Sequence, residues 1–189
     1  MKVSRHIAIA VAANMFVGVS AGQAAATRWI PVTAASRIGF AVNQAGATVR
    51  GEFRRFSSDI AFDPNDLSSS KVRVEVDVAS VSTGAEDRDR ELPKSDWFDI
   101  ARFPRAVFEA ETFERTEKGF IASGTLSLRD VKQPVALPFT LDIDGNTARM
   151  DGKLDLDRTT FGVGQGMWAA SDIVGKVVSV TIHLEATRN

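Results

Sequence analysis

Apolar and charged residues alternate along residues 72–78, which read VRVEVDV. This period of two places the valines on one face of an extended chain and the charges on the other, as in a half-buried β-strand. The same alternation recurs in residues 135–143, 150–156 and 178–186, with weaker cases earlier in the chain. A chain made of such segments must form sheets, because each strand has one apolar face to bury.

Turn-forming segments separate these runs, at residues 44–46, 63–66, 132–134 and 144–146. The Asp144-Gly145 pair predicts a tight hairpin, and an extra residue at Arg54-Arg55 predicts a β-bulge. We count about eight strands with mostly short connections, which favours antiparallel, up-and-down pairing. Such strands can close into a barrel with a filled or hollow interior, or pack as a two-sheet sandwich.

Two later segments break the alternation. Residues 83–99 are rich in charge and have an acidic start, which predicts a short helical segment that Pro93 limits to small pieces. Residues 161–173 contain three spaced glycines followed by Met167 and Trp168, and they predict a loop with one helical turn. The glycine spacing does not fit a dinucleotide-binding loop, and no βαβ unit surrounds it.

The first 26 residues have the pattern of a secretory signal peptide. Lys2 and Arg5 make a positive start, residues 7–19 are mainly apolar, and small residues follow as far as Ala26. An apolar stretch of 13 residues is short for a membrane span, which disfavours an uncleaved anchor. We expect cleavage after Ala26, or alternatively after Ala24, so that residues 27–189 form a single exported domain.

Composition excludes several kinds of chemistry. The chain has no cysteine and no tyrosine, so it has no disulfide, thiolate ligand, thiol nucleophile or phenolic acid. Its two histidines are His6, in the predicted signal peptide, and His183, on the polar face of a predicted strand. We therefore predict no enzyme activity, no catalytic residue, no metal site and no cofactor. A net charge of −1 gives no electrostatic case for a nucleic-acid partner.

A series of short motifs follows the strand pattern. In chain order they are Trp29, Ser36-Arg37-Ile38-Gly39-Phe40, Gly46, Val49-Arg50-Gly51-Glu52-Phe53, Phe56, Phe62-Asp63-Pro64, Ser80-Val81-Ser82-Thr83-Gly84, Arg88-Asp89, Leu92, Ser95-Asp96-Trp97-Phe98-Asp99, Phe103-Pro104, Phe108, Gly124-Thr125-Leu126-Ser127-Leu128-Arg129, Val131, Pro134-Val135, Asp157-Arg158 and Phe161-Gly162. In this order, over about residues 29–185, the chain resembles the YceI-like family of exported, lipocalin-like proteins.

The resemblance implies an all-β fold, an eight-stranded antiparallel lipocalin-like barrel with a short helical segment around residues 83–99. It also implies an elongated apolar cavity that binds a long polyisoprenoid or a similar amphiphile, and a location in the periplasm or outside the cell. Ala35, Asn43 and Glu91 stand near positions where many members carry histidines, so no headgroup contact is transferred from the family.

Candidate ligand contacts follow from the strand pattern and the irregular segments. The apolar cavity candidates are Phe40, Val42, Phe53, Phe62, Val76, Trp97, Phe98, Phe108, Leu126, Leu128, Phe139, Met150, Leu154, Phe161 and Trp168. Arg88, Lys94 and Arg158 lie in loop-like regions and are candidates for a headgroup at the cavity mouth. The alternative interpretation of these three cations is a surface or structural role.

The resulting hypothesis is a periplasmic protein that carries or stores an isoprenoid lipid, either a polyisoprenoid or an isoprenoid quinone. One alternative is a structural or interaction module with a filled core, and another is a binder of fatty acids or fatty amides. The expected partner is the lipid, with transient membrane contact as an option. Whether the protein is a monomer or a homodimer stays open.

Overall fold

The computed structural model describes residues 26–170 and 172–188, and within them the chain is mostly antiparallel β-structure. One short α-helix, α1 (Glu86–Glu91), lies inside the segment predicted to be helical. The described residues also contain five 3₁₀ helices, at Thr33–Ala35, Leu67–Ser69, Val78–Ser80, Arg158–Phe161 and Gly166–Trp168. The described strands are β1 (Arg28–Pro31), β2 (Arg37–Gln44), β3 (Ala47–Phe53), β4 (Phe56–Ala61), β5 (Lys71–Asp77), β6 (Val81–Ser82), β7 (Arg105–Thr116), β8 (Gly119–Leu128), β9 (Val131–Asp144), β10 (Thr147–Asp157) and β11 (Val174–Arg188).

Apart from Ala26, the predicted signal peptide lies outside the described residues. No helix in the described part of the chain combines the length and the apolar composition that a membrane crossing requires.

Eight strands close into a barrel in the order β1-β4-β5-β7-β8-β9-β10-β11, because the last part of β11 pairs back with β1. Trp29 lies opposite both Arg188 of β11 and Ile60 of β4, so β1 is the strand that closes the ring. Strands β2, β3 and β6 extend the sheet from the earlier part of β11. The predicted eight-stranded antiparallel barrel is confirmed, and the two-sheet sandwich is wrong.

Arg54 and Arg55 are not a β-bulge. They form a two-residue break between β3 and β4. The break separates strands with different partners, since β3 pairs with β2 and β6 whereas β4 pairs with β5 and β1. The register shifts lie elsewhere, between Ala110 and Thr112 in β7 and between Val174 and Val178 in β11. Sequence alternation alone does not reveal which partner each half of a stretch will take.

The turn predicted at residues 132–134 is also misplaced. Those residues lie within β9, and the turn is formed by Arg129 and Asp130, whose φ angles are 52° and 63°. Two consecutive left-handed residues between antiparallel strands are typical of a tight type I′ hairpin. Pro134 is tolerated in β9 because the strand pairs there with β8 only, and its missing N–H can face the unpaired side.

An aromatic cluster fills the end of the barrel where β1 closes the ring, which we call the closed end. The Phe62 ring makes edge-on contacts with Phe113, Phe120 and Phe139 at centroid distances of 5.3, 5.4 and 5.9 Å. The Trp29 indole nitrogen donates a hydrogen bond of 2.9 Å to the Phe62 carbonyl, and all five residues are buried. Edge-to-face packing of this kind adds to the free energy of area burial.

Gly124 of β8 packs so tightly against β7 that replacement by alanine is expected to be destabilising. A Cβ at this position would stand 2.1 Å from the Glu109 carbonyl oxygen, and the backbone cannot move aside without distorting the ladder. We expect Gly124→Ala to lower the free energy of unfolding by about 1–3 kcal/mol, measured by denaturant titration.

Gly175→Ala is the matched control, because its new Cβ would have no neighbour nearer than 3.4 Å. Its effect should stay within about 0.5 kcal/mol. Equal losses of stability in the two variants would contradict the steric explanation.

Candidate functional site: an apolar cavity in the barrel

An apolar cavity of about 190 Å³ lies inside the barrel next to the aromatic cluster. Every strand of the closed ring contributes alternate residues to its wall, as Val72, Val74 and Val76 of β5 do. The wall is hydrocarbon, aromatic or thioether throughout, apart from the Ser58 hydroxyl and the Trp29 indole nitrogen, which is hydrogen-bonded to the backbone. Such a surface binds hydrocarbon by burial and makes almost no polar contact with it.

The structure brings part of the predicted ligand set together on this wall, namely Phe62, Val76, Phe108, Leu126, Phe139, Met150 and Leu154. Other residues of the cavity wall are absent from the prediction. They occupy inward positions of the strands or lie on β1 and β2, and the alternation of apolar and polar residues is the sequence signal that could have identified them. They are Trp29, Ile38, Phe56, Ser58, Ile60, Val72, Val74, Ala106, Phe113, Ala122, Val135, Leu137, Leu141, Ala148, Leu156, Val180, Ile182, Leu184 and Ala186.

Three other candidates form a chain of aromatic rings on the side of the cavity away from the closed end. Phe40 contacts Phe53 with ring centroids 5.7 Å apart, and Phe53 contacts Phe98 at 5.8 Å. Phe40 lies two residues from the cavity residue Ile38 on the same face of β2. Gly51 makes room for the Phe40 ring, because a Cβ at Gly51 would stand 2.3 Å from it. Phe98 thus anchors the segment that follows α1 to the barrel.

Val42 and Leu128 lie further along these inward faces. Val42 pairs with Val178, two positions beyond the Phe40–Val180 pair, and Leu128 ends β8 two residues after the cavity residue Leu126. Both side chains are partly buried and neither lines the cavity.

The remaining apolar candidates, Trp97, Phe161 and Trp168, lie in a loop assembly and not on the cavity wall. The two indole rings pack 5.5 Å apart, and Phe161 is 2% exposed. The Asp96 carbonyl accepts hydrogen bonds of 2.7 Å from the backbone amides of both Gly164 and Gln165. These contacts join the segment after α1 to the loop between β10 and β11.

Arg158 stands at the centre of this loop assembly, with 4% of its surface exposed. Its five N–H donors all reach backbone carbonyls at 2.6–3.0 Å, those of Gly175, Val163, Gly164, Trp168 and Val174. Burial lowers the pKa of the guanidinium, which nevertheless stays charged. In this structure Arg158 therefore holds the loop in place and has no free donor for a headgroup.

The other two headgroup candidates lie on the segment around α1. Arg88 is partly buried, and its Nε donates to the Thr83 hydroxyl at 3.2 Å. Lys94 is exposed and forms an ion pair with Glu91. Neither residue lies on the cavity wall, so a headgroup contact through them stays a prediction.

Ser58 places a hydroxyl on the cavity wall that has no hydrogen-bond partner within the described chain. A buried hydroxyl without a partner costs about 1–3 kcal/mol of desolvation free energy. We therefore expect Ser58→Ala to raise the free energy of unfolding of the ligand-free protein by about 1 kcal/mol. Ser57→Ala, on the exposed face of the same strand, is the control, and we expect no measurable change. A loss of stability in Ser58→Ala would show that the hydroxyl is paired in solution.

Arg158→Met should destabilise the protein by at least about 3 kcal/mol, because it leaves several carbonyls in the loop assembly without donors. Arg158→Lys should recover little of that loss, since a compact ammonium cannot reproduce the five-donor fork. Arg28→Met is the control, because Arg28 forms one exposed ion pair with Asp59 at 3.0 Å. Denaturant titration measures all three, and a loss in Arg158→Met no larger than in Arg28→Met would contradict the structural role.

Comparison with known proteins agrees with this architecture. The YceI-like domain matches residues 29–186. A UPF0312 protein of Serratia proteamaculans is 30% identical over 138 residues, covering 69% of this chain and 71% of that protein. The crystal structure of Burkholderia cenocepacia BcnA matches with a TM-score of 0.80 at 28% identity, over 83% of this chain and 99% of BcnA.

A polyisoprenoid binding domain from Saccharophagus degradans, implicated in plant cell wall breakdown, matches with a TM-score of 0.69. The match covers 86% of this chain and 99% of that domain at 14% identity, which shows a shared fold. The resemblance inferred from the motifs is thereby confirmed, and the chain belongs to the YceI-like family.

Proposed function

We propose that this protein is an exported binding protein that holds the chain of a long amphiphile inside its barrel, for transport or storage. The ligand is a polyisoprenoid or an isoprenoid quinone. The observation that carries the proposal is the apolar cavity enclosed by the closed ring of strands. Membership of the YceI-like family supports the isoprenoid, as does the fold shared with a domain described as polyisoprenoid binding.

The free energy of burial is sufficient for retention of such a chain. Burying one methylene contributes roughly 0.8 kcal/mol, so a five-carbon isoprene unit contributes up to about 4 kcal/mol before costs. Ordering the chain and joining two molecules offset part of this gain. A few buried units would still hold a lipid that is insoluble in water.

The cavity encloses only part of a long chain. Its volume of about 190 Å³ is below the roughly 300–1,000 Å³ typical of pockets for drug-sized ligands. The remainder of the ligand must lie outside the cavity or displace side chains on its wall. Met150 is suited to the second course, because its flexible thioether changes rotamer easily.

The protein acts, in this proposal, without a catalytic residue and without any cofactor except the bound lipid. Members of the YceI-like family are generally exported. We place this chain in the periplasm on the basis of the signal-peptide pattern in residues 1–26, with transient membrane contact where lipid is loaded or delivered.

The direct test is native mass spectrometry of the protein purified from its native compartment, followed by organic extraction. We expect one bound prenylated compound per barrel. If no amphiphile is extracted and added geranylgeraniol does not bind, the proposed function is wrong.

Val180→Phe tests whether the chain lies in the cavity. Val180 lines the cavity wall, and its neighbours on the two adjacent strands are Leu154 and Phe40. A phenylalanine ring at this position fills space that the ligand needs. We expect the affinity for geranylgeraniol to fall at least tenfold relative to the wild type, when both proteins are measured by competition binding in the same detergent.

Val177→Phe is the matched control, because Val177 points outward from the same strand and is 57% exposed. Its affinity should equal that of the wild type. Circular dichroism of both variants detects unfolding, since overpacking costs about 1–3 kcal/mol. Equal affinity in folded Val180→Phe would show that the chain binds elsewhere.

A further inference from the structure

The barrel wall has a gap between β9 and β10. Their ladder ends where Gly152 lies opposite Phe139, although β9 begins at Val131 and β10 continues to Asp157. Each strand keeps its other neighbour here, because β9 pairs with β8 as far as Val131 and β10 pairs with β11 as far as Asp157. The two strands therefore separate from each other here, while each stays paired with its other neighbour.

A pocket of about 290 Å³ occupies this gap, which we call the side pocket. It is lined by residues 133–136 of β9, residues 154–157 of β10, and Thr160 and Phe161. Val135, Leu154 and Leu156 line both the side pocket and the apolar cavity. Three side chains thus separate a solvent-facing pocket from the hydrocarbon interior.

The β9 edge of the side pocket presents backbone carbonyls, and Pro134 lowers the number of its amide donors, although Ala136 keeps its N–H. Pro138, which lies just beyond the side pocket, has no N–H either. The Pro138 carbonyl oxygen is directed toward β10, 3.4 Å from the position of a Cβ at Gly152. Pro134 is four residues earlier in the same strand, so its carbonyl faces the same side.

Two carboxylates add to this acceptor character. Asp155 and Asp157 line the side pocket and have exposed side chains. The Thr159 hydroxyl donates to Asp157 and, with the Thr159 backbone amide, lowers the pKa of that carboxyl group. The Ser179 hydroxyl donates to Asp155. The positive charges of Lys176 and Arg158 also act on Asp157, but neither residue lines the side pocket. An anionic headgroup would therefore meet like charge at the lining, whereas a headgroup with N–H or O–H donors would find acceptors.

We propose that the side pocket receives the polar head of the amphiphile whose chain lies in the cavity. The proposal rests on the proposed function and adds a selectivity to it. The site takes an uncharged head that donates hydrogen bonds, such as a hydroxyl, phenol or amide group, and disfavours a phosphate or diphosphate. The small volume of the cavity is consistent with a ligand that leaves it through the wall.

The first arm of the test compares geranylgeraniol with the matching hydrocarbon that lacks the hydroxyl. Wild-type protein should bind the alcohol about tenfold more tightly, as one or two new hydrogen bonds allow. Ala136→Trp fills the side pocket from its exposed position on β9 and should abolish this preference. Thr140→Trp, exposed on the same strand and outside the side pocket, should retain it.

The second arm uses geranylgeranyl diphosphate and conservative substitutions that preserve side-chain shape. Asp155→Asn should improve diphosphate binding several-fold, because it removes one repulsive charge. Asp151→Asn is the control, since it removes the same charge on the same strand about 13 Å away. That distance exceeds the Debye length of about 8 Å at physiological ionic strength, so diphosphate binding should not change.

The outcomes separate the two proposals. Equal binding of alcohol and hydrocarbon, or equal weakening of both by Ala136→Trp, overturns the side pocket as the head site and leaves the proposed function standing. Diphosphate binding as tight as that of the alcohol in wild-type protein overturns the selectivity. If none of the three probes binds, the proposed function itself is wrong.

Discussion

The pairing of β1 with both β4 and β11 is the interaction on which the rest of the structure depends. Without it the sheet would keep two open edges, and the apolar faces of the strands would have nothing to enclose. Trp29 secures this junction, because its indole nitrogen is hydrogen-bonded to the Phe62 carbonyl and its ring is buried in the aromatic cluster. Closure therefore produces both the stable core and the cavity beside it.

Polar and apolar contacts lie in different regions of the barrel. Hydrocarbon lines the cavity, whereas Arg158 satisfies five backbone carbonyls in the loop assembly at the other end. A buried charge is tolerated there because every donor has an acceptor. At the gap between β9 and β10, three residues line both the hydrocarbon interior and the side pocket. An amphiphile has the same two-part character, which is why we locate its head at that gap.

Sequence reasoning succeeded where the signal was local and failed where it depended on partners. The valines of β5 and the glycine turn at Gly145 were predicted from residues close together in the chain. The sequence predicts a β-bulge at Arg54-Arg55, whereas the structure has a break there, because β3 and β4 pair with different strands. The sequence predicts Trp97 and Trp168 on the cavity wall because they are large and apolar, but in the structure they pack on each other in the loop assembly, and Arg158 lies over the Trp97 ring.

The sequence by itself determined the all-β class, the inward faces of the long strands, the short helical segment and the family, because alternation and motif order are properties of the chain alone. The tertiary structure alone decided how the ring closes, how much of the interior stays empty, and where the wall opens between β9 and β10. The ring closure and the opening depend on which strands become neighbours. The empty volume depends on how side chains from distant strands fill the shared interior, and no local pattern in the sequence specifies that packing.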